Sequence, residues 1–316
     1  MKQIAVIGSL NVDIFLTVDR FPRPGENVFA QDFRILLGGG KGANQAYALG
    51  RLGADVSMIG KIGDRFYGPD YLEVLSRSGV DVSMVSIEPG MYPGIGAVTV
   101  DRSGENSIIV YPGANGAVDI KYMEQCLEKL YAKDLFLFQL EIPVETTLYA
   151  ASRLKANNKI LIFDPAPAGS VPDELFAYMD YVTPNHTELE NLSGMFISET
   201  LDYRKAAEVL LGKGASTVIA KAGSRGAFII DRNRMLLVEG YSVQTVDSTA
   251  AGDSFNAGLA YALAQGEDDL PQCVAFANAV AALSTTALGA QEAMPDLEGV
   301  RRLMAQNKQI RVTDLS

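Results

Sequence analysis

The sequence is poor in the residues that most often carry metal or nucleophilic chemistry. Its 316 residues include no tryptophan, one histidine (His186) and two cysteines, Cys126 and Cys273. One histidine is too few for a histidine-rich metal site and gives no support to a conventional Ser-His-Asp triad. The two cysteines lie far apart in helix-like segments, which argues against a disulfide framework or a cysteine-based zinc site.

Basic residues are also scarce. The chain has 27 Lys and Arg against 38 Asp and Glu, a formal net charge of −11. A nucleic-acid-binding protein needs a dominant basic surface, so we expect no nucleic-acid partner. An anion such as ATP would have to be bound locally, by backbone N–H groups and a few well-placed cations.

Long uncharged apolar runs are absent, so we expect no membrane span and no membrane partner. The apolar run that follows Lys2 is short, and Asn11 and Asp13 end it before any cleavage-like site. We therefore interpret this run as a first strand rather than a signal peptide, and we expect a cytoplasmic protein.

Short apolar runs alternate with helix-like segments along most of the chain. This order is typical of an α/β fold in which helices cover both faces of a mainly parallel central sheet. The predicted strands are Ile4–Gly8, Val56–Ile59, Leu135–Leu140, Ile160–Asp164, Tyr181–Thr183 and Thr217–Ala220. The predicted helices are Lys41–Leu52, Pro69–Ser78, Ile120–Tyr131, Val144–Ala156, Tyr203–Leu211, Ala251–Gln265, Pro271–Thr286 and Asp296–Asn307.

Two segments break this alternation. Residues 14–37 contain the turn signal FPRPGEN and then an extended stretch, and residues 94–113 contain two strand-like runs around the turn DRSGEN. Polar, glycine-rich segments flank both, so we predict a small β-sheet that acts as a lid over a site. Two ordinary edge hairpins would give the same pattern. No repeat or linker divides the chain, so residues 1–316 are predicted to form one domain that carries this lid.

The first candidate site is the segment GGGKGANQA at residues 38–46. Its glycines let a ligand approach the backbone closely, and the helix that follows offers free N–H groups in its first turn. The spacing matches neither the GxxxxGK[ST] phosphate loop nor the GxGxxG dinucleotide fingerprint. A plain strand-to-helix turn is the alternative interpretation.

The second candidate site is the segment DSTAAGDSFNAG at residues 247–258. Ala250, Ala251 and Gly252 are small and stand at a predicted helix start, so their N–H groups would form an anion pocket at the positive end of the helix dipole. Phosphoryl transfer requires an aligned nucleophile and stabilisation of developing negative charge. The pocket would supply the second, and Asp253 would supply the first as a general base. The alternative is an acidic residue that merely favours the helix dipole.

These two motifs, in this order and about two hundred residues apart, resemble the PfkB (ribokinase-like) carbohydrate kinase family and, within it, the ribokinases. The resemblance runs from the first strand to the last helices. It includes GSLNVD at 8–13, PGAN at 112–115, QLE at 139–141, DPAPA at 164–168, TPNHTELE at 183–190, GSRG at 223–226 and LGAQ at 288–291. It implies a ribokinase-like fold with a β lid and ATP-dependent phosphorylation of a sugar hydroxyl.

The resemblance also implies roles for individual residues. The sugar would lie between the sheet edge and the lid, with Asp253 as catalytic base. The implied sugar contacts are Asn11, Asp13, Gly40, Lys41, Asn44 and Glu141. The implied nucleotide contacts are Asn185, Lys221, Gly223, Ser224, Gly226, Gly252 and Asn278, with Glu188 holding Mg²⁺ through water. For Asn278, a structural role in an apolar helix is an equal alternative.

The resemblance further implies a monovalent cation, K⁺, beside the anion pocket and a homodimer formed through the lid. The matching cation positions are Asp247, Thr249, Ser284, Ala287, Gly289 and Ala293, mostly through backbone carbonyls. The sequence departs from the ribokinase pattern in two places. Ribokinases commonly have Ser at the position of Ala293 and Thr at the position of Lys221.

The implied reaction is transfer of a phosphoryl group from ATP to D-ribose, giving D-ribose 5-phosphate. Another pentose, a ketohexose or a nucleoside is the alternative acceptor. A sugar-binding protein that has lost catalysis is an alternative of a different class, and the intact AAGD at 250–253 argues against it. A nicotinamide-dependent oxidoreductase is disfavoured because the first strand leads into GSLNVD without a glycine fingerprint.

Overall fold

The computed structural model describes residues 1–167, 169–307 and 311–316. Its strands in chain order are β1 (Ile4–Ile7), β2 (Asn11–Val18), β3 (Ala30–Gly39), β4 (Val56–Gly63), β5 (Val80–Glu88), β6 (Gly94–Val100), β7 (Asn106–Tyr111), β8 (Leu135–Phe138), β9 (Ile160–Phe163), β10 (Tyr181–Val182), β11 (Thr217–Lys221), β12 (Gly226–Ile230), β13 (Met235–Glu239) and β14 (Val312–Asp314). Its helices are α1 (Lys41–Arg51), α2 (Gly68–Arg77), α3 (Ile120–Tyr131), α4 (Val144–Lys155), α5 (Asp173–Tyr178), α6 (His186–Ser193), α7 (Thr200–Gly212), α8 (Ala251–Ala264), α9 (Leu270–Ser284) and α10 (Leu297–Gln306).

A ten-stranded sheet forms the body of the protein, in the order β14-β13-β12-β11-β10-β9-β8-β1-β4-β5. The strands from β11 to β5 in this order run parallel, whereas β12, β13 and β14 continue the sheet antiparallel at one edge. The central strands are apolar on both faces, because helices cover both. This confirms the predicted mainly parallel sheet.

Two hydrophobic cores lie on opposite faces of the sheet, and β1 contributes to both. Ile4 and Val6 belong to one core, which also contains residues of α1, α2, α8, α9 and α10. Ala5 and Ile7 belong to the other, with residues of α3, α4, α5 and α7. Successive side chains of a strand point to opposite faces, so one short apolar strand stabilises both layers of helices.

The predicted elements are present, with ends that differ by a few residues, and the short or irregular ones were missed. Strand β5 alternates polar and apolar residues at the sheet edge, and β14 is three residues long and pairs only with β13. The hairpin β12–β13 and helices α5 and α6 were also not predicted. Strands β5 and β14 and the short helices have no long apolar run, so hydrophobic periodicity does not reveal them, whereas β12 and β13 do contain apolar runs and were overlooked.

The order of the strands creates a crevice beside β1. From β1 the chain builds β4 and β5 on one side of the sheet and later β8 to β11 on the other. The loops that leave the carboxyl ends of β1 and β8 therefore run in opposite directions and leave a crevice between them. Open α/β sheets bind ligands in such a crevice. Ser9, Gln139 and Asp164 follow β1, β8 and β9, respectively, at this edge.

The two segments predicted to form a lid make a separate four-stranded sheet, in the order β3-β2-β6-β7. Strands β2 and β3 are antiparallel, β2 and β6 are parallel, and β6 and β7 are antiparallel. This confirms a small separate sheet; its closure over a site stays a prediction. Every residue of β7 is exposed, including Ile109.

Within the residues that the structure describes, we find no helix long and apolar enough to cross a bilayer.

Candidate functional site

Asp253 lies in the first turn of α8, as predicted. The preceding Ala250 has φ 58°, a left-handed conformation that residues other than glycine adopt at a cost. This bend directs the chain into the helix so that the Asp253 side chain is almost wholly buried, at 4% exposure. A carboxylate is thereby held inside the protein at the positive end of a helix dipole.

The backbone beside Asp253 offers free donors. The sequence predicted an anion pocket made of the N–H groups of Ala250, Ala251 and Gly252, but the Ala251 N–H donates to the Ser248 carbonyl at 3.2 Å and is thus engaged within the turn. No acceptor in the described part of the chain takes the N–H groups of Gly252 and Asp253. A Cβ atom on Gly252 would lie 3.4 Å from Lys221 Nζ. Free N–H groups and an ammonium therefore meet at the start of α8, which is the chemistry of an anion site.

Two amide side chains of α1 hold the Asp253 carboxylate. Asn44 Nδ2 donates to Oδ2 at 3.0 Å, and Gln45 Nε2 donates to Oδ1 at 3.1 Å. Asn44 and Gln45 belong to the GGGKGANQA segment, and α1 begins directly after its glycines. The two sequence motifs, about two hundred residues apart, therefore meet at one carboxylate.

Burial raises the pKa of Asp253 to about 6. The positive charge of Lys41 opposes this shift, the nearby carboxylate of Asp164 adds to it, and the hydrogen bonds from Asn44 and Gln45 lower the pKa again. A carboxylate with a pKa near 6 is ionised at neutral pH and is a stronger base than an exposed one. It is suited to accept a proton from a hydroxyl.

On the opposite side of Lys41, Glu141 joins the glycine loop to the first strand. Glu141 Oε2 accepts from Ser9 Oγ at 2.5 Å and from the Lys41 N–H at 2.8 Å. Gly40, which precedes α1, has φ 85°, and a Cβ there would lie 2.9 Å from the Asn11 backbone nitrogen. Only glycine fits this close approach of the loop to β2.

Asn11 and Asp13 both lie on β2, at the root of the small sheet. Asn11 Oδ1 accepts from Asn115 Nδ2 at 2.8 Å. Burial raises the pKa of Asp13 to about 7, the negative charge of Glu141 contributes, and a hydrogen bond from the Gly96 N–H opposes the shift. Hydroxyl groups donate and accept hydrogen bonds, so paired amides and carboxylates can satisfy a polyhydroxy ligand.

A cavity of about 360 Å³ opens beside these residues. Asn11, Asn115 and Glu141 line it from the crevice, and Val110 lines it from β7 of the small sheet. Of the predicted sugar contacts, Asn11 and Glu141 therefore line a pocket between the large sheet and the small one, whereas Asp13, Gly40, Lys41 and Asn44 are not part of its lining.

Lys41 carries the positive charge at the centre of the site. Burial alone would lower the pKa of its ammonium, but Asp253, Asp164, Glu141 and Glu188 together raise it above the ordinary value. Lys41 therefore stays protonated over the working pH range and offsets part of the repulsion among the carboxylates around it.

A second group of predicted residues lies around Lys221. Its Nζ pairs with Asp164 Oδ1 at 2.8 Å, and both side chains are largely buried. Asn185 and Glu188 form a reciprocal capping box at the start of α6: the Glu188 N–H donates to Asn185 Oδ1, and the Asn185 N–H donates to Glu188 Oε2, each at 2.8 Å. Burial raises the pKa of Glu188, and Lys221 opposes this shift.

The remaining predicted nucleotide residues lie along β11, β12 and α9. Gly223 and Ser224 form a short 3-10 turn directly after β11, and Gly226 begins β12. Asn278 Nδ2 donates to the carbonyl oxygens of Val238 and Glu239, at 3.1 and 3.2 Å, and so joins α9 to β13. This pairing accounts for the burial of the amide without a ligand.

The predicted cation positions lie on two loops that meet. Asp247 Oδ2 accepts from the Gly289 N–H at 3.0 Å, and Asp247 Oδ1 accepts from Thr249. Burial alone would raise the pKa of Asp247, but these hydrogen bonds lower it below its ordinary value. Ser284 ends α9, Ala287 follows it, and Ala293 closes a 3-10 turn. No cluster of three or more His, Cys, Asp or Glu side chains suited to a metal occurs in the described ranges.

Several residues at the site were given no role by the sequence analysis. Gln45, Gln139, Asp164 and Gln291 fell within recognised segments, but only the structure shows their contacts. Tyr71 lies in no motif, although its hydroxyl is bonded at the site. No pattern in the sequence could have located it. Ala168, the last residue of the DPAPA segment, lies outside the described residues.

The raised pKa of Asp13 predicts how stability depends on pH. Because its folded-state value of about 7 exceeds its unfolded value of 3.8, the folded state loses stability relative to the unfolded state as pH rises from 4 to 7. Asp13→Asn removes this loss. We expect the variant to be more stable than the parent by about 1–3 kcal/mol at pH 8, with the gap closing towards pH 4.

Urea unfolding at pH 4, 6 and 8 measures the effect. Asp32→Asn, an exposed substitution on the same small sheet, is the matched control; it removes an ion pair with Arg34 and so should not stabilise the protein at pH 8. An Asp13→Asn effect that is independent of pH would contradict the assignment.

Comparisons with known proteins agree with this geometry. Residues 1–297 match the family model described as pfkB family carbohydrate kinase. The chain is 38% identical to a ribokinase of Bacillus subtilis over 307 residues, covering 96% of this chain and 100% of that protein.

Two solved structures are similar over 96% of the chain. A ribokinase from Thermotoga maritima is 37% identical, with a TM-score of 0.89 and 100% of its chain covered. An Arabidopsis thaliana ribokinase, solved in complex with ribose and ATP, is 31% identical, with a TM-score of 0.90 and 98% of its chain covered. The match of the family model across almost the whole chain, together with these relatives, shows that the protein belongs to the pfkB family of carbohydrate kinases.

Proposed function

We propose that this protein transfers the terminal phosphoryl group of ATP to the 5-hydroxyl of D-ribose, giving D-ribose 5-phosphate and ADP. One observation carries the proposal: the buried carboxylate of Asp253 stands at the start of α8 beside backbone N–H groups that find no acceptor among the described residues. The similarity to ribokinases, one of them solved with ribose and ATP, supports ribose as the acceptor.

In the proposed reaction, Asp253 accepts the proton of the sugar hydroxyl as the oxygen bonds to phosphorus. The bond between that phosphorus and the bridging oxygen of ATP breaks, and its electrons leave with ADP. Phosphoryl transfer gains little from covalent help, so alignment of the hydroxyl accounts for much of the rate. Asn11, Asp13 and Glu141 would provide this alignment from the sugar side, with Gly40 and Asn44 completing the pocket.

The N–H groups of Gly252 and Asp253 would donate to the oxygens of the transferred group. Lys221 Nζ, which adjoins Gly252 and pairs with Asp164, would add a positive charge there. Fixed dipoles and cations aimed at developing charge need no reorganisation during the reaction. The turn at Gly223, Ser224 and Gly226 and the amide of Asn278 would border the nucleotide.

The protein fits magnesium only as an ion held largely by ATP phosphates and water. Glu188 is the carboxylate that the family resemblance assigns to Mg²⁺, and Asn185 already engages it, so a bond through water suits it better than a direct one. When bound, Mg²⁺ would neutralise phosphate charge. For K⁺, the paired loops at Asp247 and Gly289 would supply backbone oxygens, which the absence of a serine at position 293 leaves intact.

A panel of acceptors tests the substrate. We expect ADP release with D-ribose to exceed that with other pentoses, ketohexoses and nucleosides by at least tenfold in kcat/KM, because the pocket groups pair with the hydroxyls of one sugar. Turnover should require Mg²⁺ and increase when K⁺ replaces Na⁺. Good turnover of a nucleoside with weak, equal rates on all sugars would overturn the ribose assignment while leaving the kinase assignment intact.

Substitution of the base tests the mechanism. Asp253→Asn should lower kcat about 10²–10⁴-fold, the share of a positioned general base, while ribose binding measured by calorimetry largely survives. The parent rate should rise with pH through about 6, since Asp253 must lose its proton to act. Asp119→Asn is a matched carboxylate-to-amide control, because Asp119 caps α3 away from the site and asparagine also caps helices. Turnover near the parent value in Asp253→Asn would refute the assignment.

We also infer that the small sheet forms a homodimer contact. Phe33 of β3 and Ile109 of β7 lie on one face of it and are exposed by 58% and 73%, and exposed apolar side chains on one surface favour burial against a partner. Ile109→Lys should shift the sedimentation coefficient from dimer towards monomer. Phe196→Lys, at an exposed apolar residue of the main body, is the control and should leave the assembly unchanged. A parent protein that sediments as a monomer would contradict the proposal.

A further inference from the structure

The effect of Asn44 and Gln45 on Asp253 depends on which way their amides face. A side-chain amide presents two N–H donors on one atom and an accepting oxygen on the other. If the amide of Asn44 turned over, its oxygen would face the carboxylate of Asp253, replacing a hydrogen bond with repulsion. Something must therefore fix the orientation of both amides.

A directional chain of hydrogen bonds fixes Asn44. Tyr71 Oη donates to the Gly39 carbonyl at 2.8 Å, so its oxygen accepts from Gln291 Nε2, at 2.7 Å. The second hydrogen of Gln291 Nε2 goes to Asn44 Oδ1 at 3.2 Å, which turns Asn44 Nδ2 towards Asp253. Both ends of the chain, a carbonyl and a carboxylate, can only accept. Every donor between them is therefore assigned by chemistry.

A second chain fixes Gln45. Gln139 Nε2 donates to Gln45 Oε1 at 2.7 Å, and Gln45 Nε2 donates to Asp253 Oδ1 and Asp164 Oδ2, both at 3.1 Å. Asp164 also accepts from Lys221. Each amide that touches Asp253 is thus oriented by another buried glutamine.

Each of the two orienting glutamines has a buried side-chain oxygen that accepts no hydrogen bond from the described residues. Gln139 and Gln291 are buried, at 1% and 3% exposure, yet the Oε1 atom of each has no hydrogen-bond partner in the described part of the protein. An unpaired buried oxygen costs stability, and turning either amide over would waste its donors. Turning either amide over would set its oxygen against the oxygen of Asn44 or Gln45, so the donor orientation of both glutamines is fixed by their partners.

We propose that Tyr71, Gln291 and Gln139 are positioning residues that hold the amides of Asn44 and Gln45 with their N–H groups towards the catalytic base. None of the three donates a hydrogen bond to Asp253; Gln291 and Gln139 bond to Asn44 and Gln45 instead, and so act on the base through the two amides. The inference rests on the proposed role of Asp253. It assigns to Tyr71, Gln291 and Gln139 a role that no sequence motif indicated. It also connects Asp253, through hydrogen bonds, to Gly39 at the end of strand β3.

Tyr71→Phe is the sharpest test, because it removes one oxygen and keeps the ring. Gln291 loses its acceptor, and Asn44 is free to turn over. The charges that face Asp253, Lys41 from α1 and Asp164 after β9, are unchanged. We expect the midpoint on the acid side of the kcat pH profile to move to a higher pH by about one unit, which is a tenfold change in the protonation equilibrium of the base. Turnover should fall several-fold at pH 6 and approach the parent value at pH 8.5, with KM for ATP unchanged.

Tyr122→Phe is the matched control. Tyr122 is another buried tyrosine whose hydroxyl bonds to the backbone: it donates to the Gly60 carbonyl at 2.8 Å. It belongs to the core on the other face of the sheet from Tyr71. It should lower the melting temperature to a similar extent without moving the acid limb. Gln291→Met and Gln139→Met, which keep length and remove donors, should reproduce the shift seen in Tyr71→Phe. Since Gln291 lies near the proposed cation loop, K⁺ activation is measured alongside and should be unchanged in Tyr71→Phe.

The inference would be overturned if Tyr71→Phe, Gln291→Met and Gln139→Met all kept the acid limb of the kcat pH profile where the parent and Tyr122→Phe have it. That failure differs from failure of the proposed function. If Asp253 is not the base, Asp253→Asn turns over normally. If only the positioning is wrong, Asp253→Asn shows the expected fall in kcat and Tyr71→Phe has the parent pH profile.

Discussion

The rest of the site depends on keeping one carboxylate charged inside the protein. Burial raises the pKa of Asp253 to about 6 even though Lys41, Asn44 and Gln45 act to lower it, so the side chain is ionised at neutral pH only because these partners offset the cost of burial. Lys41 supplies a nearby charge, and Asn44 and Gln45 donate a hydrogen bond to each oxygen. Because this carboxylate is buried, it has a basic strength that an exposed aspartate lacks.

Parallel strands account for how residues so distant in sequence reach this carboxylate. Their carboxyl ends meet at one edge of the sheet, so Ser9, Gln139, Asp164 and Lys221 arrive together from β1, β8, β9 and β11. Helix α1 brings its amides to the same place because the glycine loop lets it start against β2. The small sheet grows from the same strand, β2, so sugar-side residues and lid share one element.

Much of this was predictable from the sequence. Apolar runs identified the parallel strands, and the glycine loop and the AAGD segment located α1, α8 and Asp253. Edge strands β5 and β14 were not predictable, because they alternate polar and apolar residues or are very short. The positioning chain was not predictable either. Tyr71 and Gln291 resemble ordinary buried residues until tertiary packing shows that Gly39, Tyr71, Gln291 and Asn44 form one line of hydrogen bonds.

The most direct test of the account is the titration of Asp253 itself. Carbon-13 NMR of carboxyl-labelled protein, with the Asp253 resonance assigned by its loss in Asp253→Asn, measures the proton affinity of this side chain without turnover. The account predicts a midpoint near pH 6, since burial outweighs the charge of Lys41 and the two amide donors. A midpoint near 3.8, the value of an exposed aspartate, would contradict it, because the carboxylate would then be neither desolvated nor tuned as a base.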